Sequence, residues 1–276
     1  MTKQIGMTRS QETAVARLLP PPYNPPMSTL RVLAVQYKLV LQALIADYRA
    51  EWVPQIILGL IMPIAFAFFA KAIGGAATHE QAIFVLGGNM TMSVALGPTA
   101  FLLFKIGIAR QGKEFDFWIT LPLQKIILVL GLISLGVLFS LPGLVGTYVC
   151  ETWLLNLSFS GTWLLLLLVP LGVLPLASLG ALLGSYAPSP QIAGLIDNIL
   201  IAFVSFLSPM MIPYNALPFP LRILSWFVPT TYTADAFRAA IGGTIGQNVL
   251  IDIVVLSGFS IVFLVLVHTK LDWRSV

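Results

Sequence analysis

The residues whose spacing first suggests chemistry are Gly107, Gly112 and Lys113, which fit GxxxxGK. In that pattern a glycine-rich loop wraps phosphates and the lysine reaches them. The next residue is Glu114, where a Ser or Thr would hold magnesium. A phosphate loop follows a strand and opens a helix of a soluble α/β domain. This one follows a long apolar run, and no such domain fits in the rest of the chain, so the match is discounted. His79 and His268 lie far apart, there is no HExxH or CxxC, and Cys150 is the single cysteine. No catalytic residue, metal site or cofactor is expected in this chain. Cys150 reads as a small apolar filler near a helix end, and the sequons at Asn89 and Asn156 read as chance.

Ionisable residues inside apolar runs are the other source of chemistry, because burying charge in hydrocarbon is costly. Asp197, with Asn198 beside it, stands within such a run. It reads either as a carboxylate lining a cavity or meeting a partner, or as a side chain still near enough to the interface to be hydrated. The second reading is the plainer one. Asp252, near the start of the last run, reads as an outer-surface residue. Met210, Met211, Phe203 and Phe206 offer an adaptable apolar wall, and with Asp197 and Asn198 they form the candidate substrate path. No ladder of charges crosses the runs, which argues against ion coupling.

The elements that must position these groups follow from composition. The 276 residues are 58% hydrophobic and 9% charged, against about 25% charged in a soluble domain. Six apolar runs, roughly 52–73, 82–104, 126–149, 162–185, 192–212 and 249–268, have the length of about 20 residues that a membrane helix needs. The runs are too long and too uniformly apolar for barrel strands. The expected fold is therefore all-α, a polytopic membrane protein with six transmembrane helices. Of the fifteen Lys and Arg residues, all but Lys71, Arg222 and Arg238 fall in 1–51, 105–125 and 269–276. The positive-inside bias puts those segments, and both termini, in the cytoplasm. Residues 1–27, with Pro20 to Pro26, lack the apolar core of a signal peptide and read as a mobile Pro-rich cytoplasmic tail. The proline pair at 170 and 175 marks kinks, and the Gly180–Gly184 spacing reads as chance in a chain with 22 glycines.

Three segments lie outside the spans. Residues 28–50 alternate Leu30, Leu33, Tyr37, Leu41, Leu44 and Tyr48 with Arg31, Lys38, Gln42 and Arg49 on the opposite face. That pattern suits an interfacial helix, apolar side in the lipid boundary. Residues 105–121 form a charged connector. Within it Phe115, Trp118 and Ile119 share one face, with Arg110, Lys113, Glu114 and Asp116 around them, as in a docking surface with an aromatic anchor. Residues 213–243 hold Pro213, Pro218, Pro220 and Pro229 and two apolar stretches, 221–228 and 232–241, each too short to span. They read as a re-entrant outer hairpin, ended by Gly242-Gly243, in which Pro229, Tyr232, Asp235 and Arg238 are the candidate residues. Arg238 is expected to hold the hairpin's geometry or line an exit, with Asp235 or Arg222 beside it.

The three segments together resemble the membrane subunit of ABC-2-type (type II exporter) transporters, close in size to the daunorubicin-resistance-like permeases. The resemblance rests on the helix before the first span; on Ala109 to Phe117 followed by Leu121-Pro122-Leu123; and on Val228-Pro229-Thr230-Thr231-Tyr232 with Ala236-Phe237-Arg238. Gln111 departs from the charged residue often found there. The resemblance implies that residues 28–276 form one transmembrane domain in the cytoplasmic (inner) membrane and that the connector is a coupling helix. Two copies of a separate ATP-binding subunit, carrying ATP and Mg, would dock on it. A second permease subunit, identical or a sibling, would complete the pathway, with membrane lipid around it and no nucleic acid. The implied function is export of an amphiphilic or hydrophobic substrate: a drug, a lipid or a lipid-linked glycan. The alternative is a secondary transporter working without ATP.

Overall fold

A computed structural model describes residues 29–47, 52–72, 78–112, 124–157, 162–244 and 246–270. Among the described residues the protein is all helical: α1 (Thr29–Asp47), α2 (Trp52–Ala72), α3 (His79–Gln111), α4 (Lys125–Leu154), α5 (Thr162–Tyr186), α6 (Pro190–Leu207), a 3-10 turn (Tyr214–Ala216), α7 (Phe219–Ser225), α8 (Pro229–Gly242) and α9 (Gln247–Lys270). Five of these, α3 to α6 and α9, are long and apolar enough to cross a membrane. The 21-residue α2 lies where the first span is expected. The Pro-rich tail and Arg49 lie outside the described residues.

Helix α3 is the axis of the bundle, touching α2, α4, α5, α6 and α8. Its buried side, Leu86, Met90, Val94, Leu102 and Ile106, runs the length of the main apolar core. The Gly180–Gly184 spacing is not chance: it is where α5 lies against α3. A side chain at Gly180 would collide with the Thr99 carbonyl, and one at Gly184 would come within 2.9 Å of the Leu103 carbonyl. Two small residues one turn apart let helix backbones approach, so dispersion contacts accumulate where no hydrophobic force acts between helices in lipid. The prolines at 98, 142, 170 and 175 all lie within helices.

Helix α1 departs from the pure interfacial picture. Its Leu33, Tyr37, Val40 and Leu44 pack on the core, with Val40 and Leu44 over Gly131 of α4 and the Tyr37 hydroxyl 2.7 Å from Ser134 Oγ. Much of the stripe expected to meet lipid is therefore seated on protein. Arg31 and Lys38 are exposed, as are Val32, Val35 and Leu39.

Two boundaries also shift. Helix α3 runs through Lys105, which is buried, to Gln111, so the first turns assigned to the connector belong to the membrane helix. Helix α6 starts at a Ser189 cap with Pro190 in its first turn and stops at Leu207, five residues before the expected end of its span. Pro209 disfavours helix at the residue before it and lacks the N–H to continue one. The chain from Ser208 to Pro213 is thereby freed to enter the hairpin.

Candidate functional site

The hairpin's two pieces are both opened by proline, at Pro218 and at Pro229, the first residue of α8. The fixed φ of proline suits a first helical turn and its missing N–H costs nothing there. Gly243 closes α8 in the left-handed conformation at φ 70°, donating its N–H to Ala239. Between the helices, the Thr231 hydroxyl donates to the Ser225 carbonyl at 2.7 Å and the Tyr232 hydroxyl to the Trp226 carbonyl at 2.9 Å. These bonds tie the end of α7 to the first turn of α8.

Helix α8 then inserts against α3, α5 and α9, burying Phe237 completely. Its next residue, Arg238, joins three parts of the chain. One guanidinium nitrogen donates to the Pro209 and Met210 carbonyls at 2.7 and 3.0 Å, Nε donates to the Phe84 carbonyl at 3.4 Å, and Nη1 meets Asp235 at 3.3 Å. The guanidinium also lies 3.8 Å from the centroid of the Phe84 ring. Burial draws its pKa down to about 10, with Asp235 pulling the other way, so it is charged at neutral pH. Gly87 and Gly88 make the room: a side chain at 87 would strike the Arg238 stem, and one at 88 would collide with the Met210 carbonyl. Arg222 serves the other helix, donating to the Asn215 carbonyl at 3.1 Å and stacking on Tyr214.

At this end of the bundle lies an open cleft of about 690 Å³ between α3, α8 and α9. Asp235 and Arg238 stand on its wall with His79, Glu80, Asn248 and Asp252. Asp252 is not a surface residue: only 8% of it is exposed.

Over residues 35–241 the sequence matches the ABC-2 type transporter family, a stretch from α1 to the end of α8. The chain belongs to the ABC-2 type transporter family. With at least five helices among the described residues long and apolar enough to cross a membrane, this makes it a multi-pass membrane protein and a transport permease component. Members of the family typically work with ATP-binding subunits. No curated protein matches the chain.

In this ABC-2 protein the remaining candidate residues do not converge. Met210 is buried and Met211 partly exposed, while Phe203, Phe206 and Asn198 lie on the exposed face of α6. Asp197 faces inward and is buried, against the expectation of a hydrated side chain. Among the described residues its Oδ1 has no hydrogen-bond partner, and it borders a small apolar void with Thr99, Leu176 and Val204. Arg110 lies in the last turn of α3; Lys113, Glu114, Phe115, Asp116, Trp118 and Ile119 fall outside the described residues.

The α3–α4 seam holds what sequence reasoning missed. Asn89 Nδ2 donates to Glu151 Oε1 at 2.8 Å, and one turn along, Ser93 and Thr147 hydroxyls sit 3.2 Å apart. Glu151 is fully buried because α4 runs on to Leu154, beyond the apolar run that ends near 149. Nearby, Lys71 Nζ donates to the Leu154 carbonyl at 2.6 Å and ties α2 to the same helix end. The available signal was the amide of Asn89 inside a span, since intramembrane polar groups demand partners. Cys150, expected as a filler, is exposed.

Proposed function

We propose that this protein is the membrane-spanning half of an ATP-driven exporter, carrying an amphiphilic or hydrophobic substrate out across the cytoplasmic membrane. The observation that carries the reading is the family match from 35 to 241, which spans the connector and both ends of the bundle. In this reading α2 is a sixth span, and both termini and the connector are cytoplasmic, as the distribution of Lys and Arg favours. Two ATP-binding subunits dock on the connector through Phe115, Trp118 and Ile119, and a second permease subunit completes the path. Helix α3 supports the coupling role by leading without a break from the hairpin contact to the connector. The exposed apolar side of α6, Leu195, Ile199, Phe203 and Phe206, suits lipid, a second subunit or an amphiphilic cargo.

The test is co-purification with the ATP-binding subunit, followed by cargo-stimulated ATPase and transport assays. Phe115→Ala and Trp118→Ala are expected to lose the subunit or to uncouple hydrolysis from transport. Normal pull-down and normal transport in both variants would sink the coupling assignment. A transporter working without ATP is the second reading, favoured by the buried carboxyl of Asp197, whose Oδ1 has no hydrogen-bond partner among the described residues. It requires Asp197→Asn to abolish transport in vesicles that contain no ATP-binding subunit.

A further inference from the structure

The cleft between α3, α8 and α9 has an electrostatic imbalance. Among the described residues its one cationic side chain with a fixed charge, Arg238, is already committed to Asp235, three backbone carbonyls and the Phe84 ring. Two further carboxyls, Glu80 and Asp252, border the same space. Glu80 is exposed and hydrated at the rim. Asp252 is more than nine-tenths buried on the wall, and no hydrogen bond or ion pair reaches it from the described residues. A buried carboxylate without a cation or a donor is an expensive arrangement. The groups that face it across the cleft are Asp235 and Arg238 from α8, His79 and Glu80 from α3, and Asn248 from its own helix. The one guanidinium among them, Arg238, has its donors turned to Asp235 and to the Phe84, Pro209 and Met210 carbonyls.

The cavity's size and walls indicate what would. Its volume is in the range of small-molecule sites, and Ile83, Ala239 and Ile251 give it apolar sides beside the carboxyls. Among the described residues no three His, Cys, Asp or Glu side chains come close enough to hold a metal ion. A compact metal is therefore a poorer fit than a cation with an organic body. We propose that the cleft binds an organic ammonium group, with Asp252 as its counter-ion, Glu80 as the rim carboxylate that draws it in, and Ile83 and Ile251 against its alkyl part. The same chemistry has two sources, a free amphiphilic amine or the ammonium headgroup of a membrane lipid. The site adds a ligand class to the transport reading without resting on ATP coupling, because binding at the cleft needs neither nucleotide nor the ATP-binding subunit.

The experiment is equilibrium dialysis of labelled octylamine against the full-length protein in phosphatidylglycerol nanodiscs, with empty nanodiscs subtracted and octanol as the neutral match. Saturable octylamine binding that octanol does not displace is expected. Asp252→Asn should weaken it by about tenfold or more, the scale of one charge-assisted contact. Glu80→Gln, at an exposed position that folding does not need, should weaken it by about two- to threefold. If Asp252→Asn fails to fold, Glu80→Gln together with the preference for octylamine over octanol decides. Unsaturable binding, equal competition by octanol, or wild-type affinity in both variants would overturn the proposal. Adding phosphatidylethanolamine to the nanodiscs separates the sources. Competition that Asp252→Asn abolishes marks a lipid headgroup as the occupant, and unchanged octylamine affinity marks a free amine; either result supports the ammonium site. Transport could still fail in a protein that binds octylamine, so the two readings fall separately.

Discussion

Helices α7 and α8 are neighbours in sequence, both short, both opened by proline, and they meet opposite surroundings. In α8 nine residues are buried, and Arg238 bonds it to the chain after α6 and to the first turns of α3. In α7 only Ser225 is buried, while Phe219, Ile223 and Leu224, and Trp226 and Phe227 just beyond it, stay exposed. The more apolar helix is thus the outer one. What separates them is fit rather than hydrophobicity: α8 carries Ala and Thr on its packed side, and α3 offers Gly87 and Gly88 to receive it. In lipid an exposed Phe loses nothing by staying exposed, so close approach of small residues decides which piece is drawn in.

Substitutions can break that contrast in graded steps. The largest effect is expected at Gly88→Val, which drives a branched side chain into the Met210 carbonyl, a backbone atom that cannot swing aside. The cost should exceed the about 1–3 kcal/mol typical of overpacking, read as loss of the monodisperse peak on size exclusion. Gly97→Ala in the same helix, with no atom within 4 Å of the added methyl, is the control and should keep wild-type stability. Next comes Arg238→Ala, which strips four polar contacts and should cost about 2–4 kcal/mol, seen as a lower thermal midpoint in detergent and as lost transport. Arg238→Lys should not restore it, because an ammonium lacks the planar fork that reaches Pro209, Met210 and Phe84 together. Asp235→Asn removes a half-exposed partner at 3.3 Å and should cost about 0.5–1 kcal/mol. The smallest effect is expected for Trp226→Ala, which loses an exposed hydrogen bond to Tyr214 and should move the midpoint by about 0.5 kcal/mol or less. A large loss at Trp226 with little at Gly88 would reverse the account of the hairpin.

The contrast also shows what a sequence can carry. Long uniform apolar runs are read well, because hydrocarbon admits little else, and α3, α4, α5 and α9 lie close to their expected places. Pro229 and Gly243 were legible because each has one conformational use in that context. Pairings across helices were not. Arg238 was visible as a candidate, with Asp235 as a possible partner, but its bonds to Pro209, Met210 and Phe84 join positions up to 154 residues apart and leave no local pattern. Glu151 lies beyond the apolar run that ends near 149, because hydropathy falls before the helix does. Gly180 and Gly184 had the right spacing, yet only the Thr99 and Leu103 carbonyls beneath them show which pairs of glycines matter. The connector residues Lys113 to Ile119 lie outside the described residues, and their role is read from the sequence alone.

One consequence follows from the length of α3. Its 33 residues make a rod of about 50 Å at about 1.5 Å per residue. The rod is gripped near its middle, where Gly180 holds the carbonyl of Thr99 beside Pro98, and it carries Phe84 near one end and Gln111 at the other. From Thr99 the two arms reach about 22 Å and about 18 Å. A rigid beam held at that point is a lever with arms of nearly equal length. A tilt delivered to Gln111 would arrive at Phe84 reversed in direction and nearly equal in size, neither amplified nor lost. Arg238 would be the first side chain to register it.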